Sequence, residues 1–237
     1  VMGFKVPRLW RPPYLQIALD IPDLERTKSI VSQVPRSDRI ILEVGTPLIK
    51  KYGVKVIGEL RSLYRDMFVI ADLKTLDVGK VEVDLAFEET ADGATVSGLA
   101  PVETLDAFVY ETRKLGMYAI VDMMGVENPI AKLQSLKELP EIVLVHRGID
   151  VEKRGGSVRW EQIQAIKNAF KDRKLLIAVA GGITADTARD AINSGVDIIV
   201  VGRFITQSKD IERSVREFLE CTPEMREDID LFREHVE

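Results

Sequence analysis

The chain has 237 residues, enough for one α/β domain to bury a large core, and 33 Lys and Arg against 38 Asp and Glu leave a net charge of −5. That balance lacks the basic excess selected by nucleic acid or anionic membranes, and 46% hydrophobic with 30% charged residues describes a chain that folds rather than a disordered one. A lone cysteine, Cys221, excludes an internal disulfide and no apolar run reaches the roughly 18 residues of a membrane span, so a cytoplasmic protein with no membrane partner is expected.

Val1 to Pro13, with Trp10, Pro12 and Pro13, shows no apolar core followed by a small-residue cleavage site and is expected to be a lead-in or linker. Eight β-like runs follow: Tyr14 to Leu19, Ile40 to Val44, Met67 to Ala71, Gly93 to Ser97, Tyr118 to Val121, Ile142 to Val145, Leu175 to Ala180 and Ile198 to Val201. Most are continuously apolar, as suits parallel strands buried on both faces. Apolar residues at helical spacing mark Leu24 to Val34, Val81 to Glu89, Val102 to Leu115, Pro129 to Leu139, Trp160 to Phe170 and Ala185 to Ser194. Strand starts recur roughly every 20 to 35 residues, the length of one strand, one helix and two loops, which predicts a single (β/α)₈ TIM barrel over residues 14–220. An open doubly wound sheet is the alternative. Residues 221–237 read as a C-terminal amphipathic helical extension carrying Met225, Ile229, Leu231 and Phe232; both ends are expected to be accessory, with His235 inert, and the extension either covers the barrel bottom or a subunit interface or is solvated decoration.

Barrels of this kind carry their chemistry at the C-terminal ends of the strands. Here those ends are polar: Asp20, Glu43, Asp72 with Lys74 and Asp77, Ser97, Asp122, His146 with Arg147, Gly181-Gly182, and Gly202-Arg203. One acidic residue after a strand is more often a helix cap or a solvated loop residue, but a whole rim of such groups is not explained that way. Along Ala71-Asp72-Leu73-Lys74-Thr75-Leu76-Asp77, period two puts Asp72 and Lys74 on one face and Leu73 on the other. If that face is interior, the two charges either form a structural ion pair or serve a ligand or metal. Glu43 adds a further negative charge, an excess that a divalent cation resolves; carboxylates, substrate oxygens and water suit Mg²⁺.

Glycines in Val179-Ala180-Gly181-Gly182-Ile183-Thr184 and Val201-Gly202-Arg203-Phe204 leave backbone N–H groups uncovered after the seventh and eighth strands. Each alone is an ordinary tight turn; on neighbouring strands the pair favours phosphate, with Arg203 able to add a bidentate contact. His146, ending the sixth run, can act as a general base or sit as a hydrogen-bonded strand-end residue. No nucleophile elbow is present, and two histidines with one cysteine are too few for zinc.

The Asp72, Lys74, Asp77 spacing with the two glycine loops resembles the orotidine 5′-monophosphate decarboxylase suprafamily over about Leu15 to Phe218. Ala71 to Gly79 is similar to the branch containing 3-hexulose-6-phosphate synthase and 3-keto-L-gulonate-6-phosphate decarboxylase; Val78-Gly79-Lys80 replaces the Ile-Pro-Asn that follows the last aspartate in the nucleotide enzyme. Val121 to Val126 and Val145 to Asp150 look like the synthase pattern, and Ile149 stands where the decarboxylases usually have arginine. The resemblance implies a lyase that joins formaldehyde to D-ribulose 5-phosphate, with decarboxylation of 3-keto-L-gulonate 6-phosphate as the alternative. It further implies Mg²⁺ on Glu43 and Asp72, and His146 removing the C1 proton. Lys74 would stabilise negative charge, Asp20 would orient hydroxyls, and the amides of Gly182 and Arg203 would hold phosphate, with Gly181 and Gly202 shaping those loops. Asp77 would reach the neighbouring site of a homodimer, and fusion behind a formaldehyde-activating domain is known in such enzymes. A non-enzymatic sugar-phosphate sensor could keep the glycine loops but has no need for Glu43, Asp72, Lys74 and His146 together.

Overall fold

The computed structural model describes residues 8–146 and 160–226. Val1 to Pro7, Arg147, Ile149 and the tail positions Ile229, Leu231, Phe232 and His235 lie outside the described residues. The strands are β1 (Tyr14–Leu19), β2 (Ile40–Val44), β3 (Phe68–Thr75), β4 (Gly93–Ser97), β5 (Tyr118–Asp122), β6 (Ile142–His146), β7 (Leu176–Ala180) and β8 (Ile198–Val201). Each pairs in parallel with the next, and β1 pairs with β8, so the sheet closes and the open-sheet alternative is excluded.

Closure explains the apolar runs. On β1, Leu15, Ile17 and Leu19 face outward into the shell beneath the helices, while Tyr14 and Ala18 join the interior with Ile41, Phe68, Ile70, Ile120, Ile142 and Ile198. Both faces are therefore dry, and each fully buried aliphatic side chain contributes about 1.5–3 kcal/mol. The same alternation places Gln16, Glu43, Asp72, Thr95, Asp122 and His146 on the interior side, toward the upper ends of their strands.

The outer ring comprises α1 (Leu24–Ser32), α2 (Thr46–Tyr52), α3 (Lys55–Leu63), α4 (Gly79–Glu88), α5 (Val102–Lys114), α6 (Pro129–Gln134), α7 (Trp160–Ala169), α8 (Ala185–Asn193), α9 (Arg203–Thr206) and α10 (Ile211–Leu219). Helices α2, α3, α9 and α10 come in addition to the six segments expected from periodicity. The helix starts are chemically marked: Asp23, Asn128 and Asp210 each accept an amide hydrogen bond three residues on, and Thr184 and Thr187 form a capping box.

Two expectations change. β3 runs on to Thr75 rather than stopping at Ala71, through an irregularity in its pairing with β4. The segments flanking the repeat are also not accessory where they are described. Leu9 is buried within the interior cluster, and Arg39 donates to the carbonyls of Arg11, Pro13 and Glu224, tying both ends to the barrel bottom. Asp92 pairs there with Arg8 and Arg61, while Cys221 and Met225 are buried. Leu9 adds apolar area to the barrel interior and Met225 to the shell beneath the helices, which is why they belong to the fold.

Candidate active site

The polar ends of β1 to β6 meet in one basin at the top of the barrel. Asp20, Glu43 and Asp72 each offer a carboxylate oxygen, and these oxygens lie within 4.8 Å of one another. At that separation two like charges repel by ~3–4 kcal/mol for an effective dielectric of about 20. The protonation equilibria respond: burial, then the neighbouring Asp72 and Asp20 charges, hold Glu43 well above the usual carboxylate range, and burial followed by Asp72 raises Asp20. Neutral groups hold the buried pair from below. The Gln16 amide donates to Glu43 Oε2, and the Thr95 hydroxyl donates to Asp72 Oδ1 at 2.6 Å.

Asp20 stands at the open mouth, although its neighbours crowd its carboxylate. It fits there because residue 45 is glycine: a Cβ at Gly45 would lie 2.1 Å from Asp20 Oδ1 and 2.5 Å from the Leu19 carbonyl oxygen. Asp20 was expected to orient substrate hydroxyls, but its geometry makes it equally a third member of the carboxylate trio.

Lys74 lies between the trio and a second group. Its Nζ is 3.0 Å from Asp72 Oδ2 and 3.0 Å from Asp122 Oδ2. Burial works against the ammonium, but these two carboxylates outweigh it and raise the Lys74 pKa above its ordinary value. Lys74 is thus a fixed cation rather than a base. Its backbone sits at φ 46°, a left-handed conformation that costs a non-glycine residue ~1–2 kcal/mol and is held by the surrounding contacts.

His146 Nδ1 lies 3.1 Å from the same Asp122 oxygen. Asp122 is buried; although burial opposes ionisation, the His146 hydrogen bond and the Lys74 charge keep its pKa below the ordinary aspartate value. A carboxylate that accepts from Nδ1 selects the tautomer with Nε2 unprotonated, which is the form a general base requires. Among the described residues, the four carboxylates of Asp20, Glu43, Asp72 and Asp122 stand with one ammonium, that of Lys74, an excess of hard-oxygen negative charge that fits a divalent cation.

The other expected residues fall elsewhere. Asp77 is exposed, and its Oδ1 accepts from the Val78 amide, so it does not join the basin within this chain. Gly181 and Gly182, at φ 95° and 64°, turn the chain from β7 toward α8. Gly202 is the N-cap of α9 and Arg203 its first residue; the Arg203 side chain is exposed and lines a cavity of about 380 Å³ between α9 and α10. Ser97 accepts from the Leu99 amide and shapes a turn. Beside the glycine loops the upper interior is lined by the small apolar side chains of Ala18, Ala180 and Val200. Gln16, Thr95 and the role of Asp122 were not foreseen. A polar residue inside the otherwise apolar run Tyr14 to Leu19 was the available signal for Gln16.

The profile described as Orotidine 5'-phosphate decarboxylase / HUMPS family matches residues 13–218. A "Bifunctional enzyme Fae/Hps" of Methanocella arvoryzae is 46% identical over 233 residues, and one of Methanoregula boonei is 48% identical over 233 residues; each alignment covers 98% of this chain and 58% of the relative, so the chain spans little more than half of their length. A solved 3-hexulose-6-phosphate synthase from Salmonella typhimurium superposes with a TM-score of 0.79 at 31% identity, covering 86% of this chain and 96% of that one. The lyase class and the branch expected from the sequence agree with these matches. On the profile match and the shared barrel, the chain belongs to the Orotidine 5'-phosphate decarboxylase / HUMPS family.

Proposed function

We propose that this barrel catalyses the reversible aldol condensation of formaldehyde with D-ribulose 5-phosphate to D-arabino-3-hexulose 6-phosphate. The observation that carries the proposal is the convergence of the Asp20, Glu43, Asp72 trio with the Lys74, Asp122, His146 relay in one basin, in a chain similar to the named synthase. Glu43 and Asp72, with Asp20, would hold Mg²⁺, which when bound supplies polarisation of the substrate's carbonyl and hydroxyl oxygens. His146 Nε2 would take the C1 proton while the Asp122 carboxylate holds Nδ1 and offsets the positive charge that develops on the ring. The C1 electron pair moves into the C2 carbonyl to give an enediolate, whose negative charge the Lys74 ammonium offsets. C1 then attacks formaldehyde, and the new alkoxide takes up the proton held by His146, which returns the imidazole to its starting form. The amides around Gly182 and Arg203 would anchor the phosphate and fix the sugar against these groups.

Asp77 is flanked along the chain by the exposed apolar residues Leu76, Val78 and Val81, which supports a homodimer in which Asp77 completes the neighbouring site. The bifunctional relatives support fusion of such a barrel to a formaldehyde-activating domain. A cytoplasmic setting is part of the proposal; no helix among the described residues is long and apolar enough to cross a membrane.

The test is product analysis with formaldehyde and ribulose 5-phosphate, with and without Mg²⁺, beside 3-keto-L-gulonate 6-phosphate. Metal-dependent condensation is expected, with unphosphorylated ribulose a poor substrate. Decarboxylation outrunning condensation would move the chain to the other branch, and no turnover of either would overturn the enzymatic proposal.

A further inference from the structure

Between Ala71, which pairs with Ala94, and Thr75, which pairs with Val96, β3 takes four residue steps while β4 takes two. The surplus carries Asp72 and Lys74, so an irregular piece of backbone holds two of the basin's charged groups. Irregular backbone leaves ladder groups to be satisfied by other means. Thr95, opposite the surplus on β4, does this with one hydroxyl: Oγ1 accepts the Lys74 amide at 3.0 Å and donates to Asp72 Oδ1 at 2.6 Å. A hydroxyl has one hydrogen to give, and here it goes to the carboxylate. Thr95 is 1% exposed, so it lies beneath the basin and does not reach a substrate above it.

We propose that Thr95 is a positioning residue for the reaction, locking the Asp72 carboxylate and the Lys74 backbone into one geometry through a single hydroxyl. The functional part of this inference rests on the aldol activity proposed above; the geometric part does not. With valine at 95 the shape is kept, but the Lys74 amide and Asp72 Oδ1 both lose their Thr95 partner. The β3 surplus is then free to shift, and the Lys74 ammonium with it, away from its place between Asp72 and Asp122.

The experiment compares Thr95→Val and Thr95→Ser in the full chain by two readouts. In Thr95→Val, kcat for condensation should fall ~10–100-fold with KM for ribulose 5-phosphate little changed, as for a group whose loss misplaces charge in the transition state. Thr95→Ser should stay within about 3-fold of wild type, because it retains the hydroxyl. Independently of turnover, hydrogen exchange at the Lys74 amide, followed by NMR, should be at least ~10-fold faster in Thr95→Val and near wild type in Thr95→Ser. If Thr95→Val does not fold, Thr95→Ala, which also lacks the hydroxyl, carries the same expectations. Unchanged Lys74 exchange, or a kcat loss that serine does not rescue, would overturn the proposal. A wild-type protein without condensation activity would instead refute the assigned reaction, and the exchange measurement would still decide whether Thr95 holds Lys74.

Discussion

Replacing Asp122 by asparagine keeps the shape of the side chain and removes only its charge and one acceptor. In the native site Oδ2 receives both Lys74 Nζ at 3.0 Å and His146 Nδ1 at 3.1 Å, and Oδ1 receives the Met124 amide at 3.0 Å. An asparagine has one carbonyl oxygen for these three donors, and its NH₂ must face at least one of them. If the oxygen stays with Met124, both catalytic contacts are lost; if it turns inward, Met124 is orphaned and the charge that held Lys74 is still gone. A hydrogen bond to a charged partner is worth about 1.5–3 kcal/mol, so losing one to two of them at roughly 1.4 kcal/mol per decade predicts a fall in kcat of ~10–10⁴. The effect should appear before carbon–carbon bond formation. Exchange of the C1 proton of ribulose 5-phosphate with deuterated solvent, measured by proton NMR without formaldehyde, should fall as far as condensation does, with KM little changed. Asp122→Asn protein that is folded and exchanges within about 3-fold of wild type would refute the orienting role of Asp122 and the tautomer argument built on it.

For His146→Ala, kcat should drop ~10²–10⁴, the usual worth of a placed base, with solvent exchange at C1 lost in parallel; normal exchange would put the base elsewhere. Since Asp20 and Glu43 are raised in the folded state, their contribution to stability is present below the ordinary carboxylate range of about 4 and is lost as pH rises through the raised values. Added Mg²⁺ should therefore raise the melting temperature more near pH ~7.5 than near pH ~5, where equal shifts would contradict a metal site at the trio. Gly45→Ala forces a Cβ to within 2.1 Å of Asp20 Oδ1 and should weaken Mg²⁺ binding by calorimetry, together with a ~1–3 kcal/mol loss of stability; unaltered affinity would show that Asp20 is not a ligand.

Strand positions were legible because closure dries both faces of every strand, leaving apolar runs that no half-exposed sheet would tolerate. Ile40 to Val44 and Ile198 to Val201 are read directly from composition and occupy those bounds in the fold. Glu43, Asp72, Lys74 and His146 were legible as a set because each lies at the end of a strand-like run and barrel closure brings strand ends together, while the two-residue period put Asp72 and Lys74 on one face without saying which face is interior. Pairing among them was not legible, because it depends on which interior residues share a height. Only the barrel brings Asp122 of β5 between Lys74 of β3 and His146 of β6, and only the β3 irregularity puts Thr95 under both Asp72 and Lys74. The ends were left open for a related reason. Leu9 and Met225 lie outside any repeat, and nothing local marks them as core until the closed barrel presents an interior for Leu9 and a shell beneath the helices for Met225. Local sequence thus determined which side chains share a face, through the two-residue period of the strand, while the tertiary structure decided which face turns inward and which side chains touch, because contact across a barrel is set by register and closure rather than by distance along the chain.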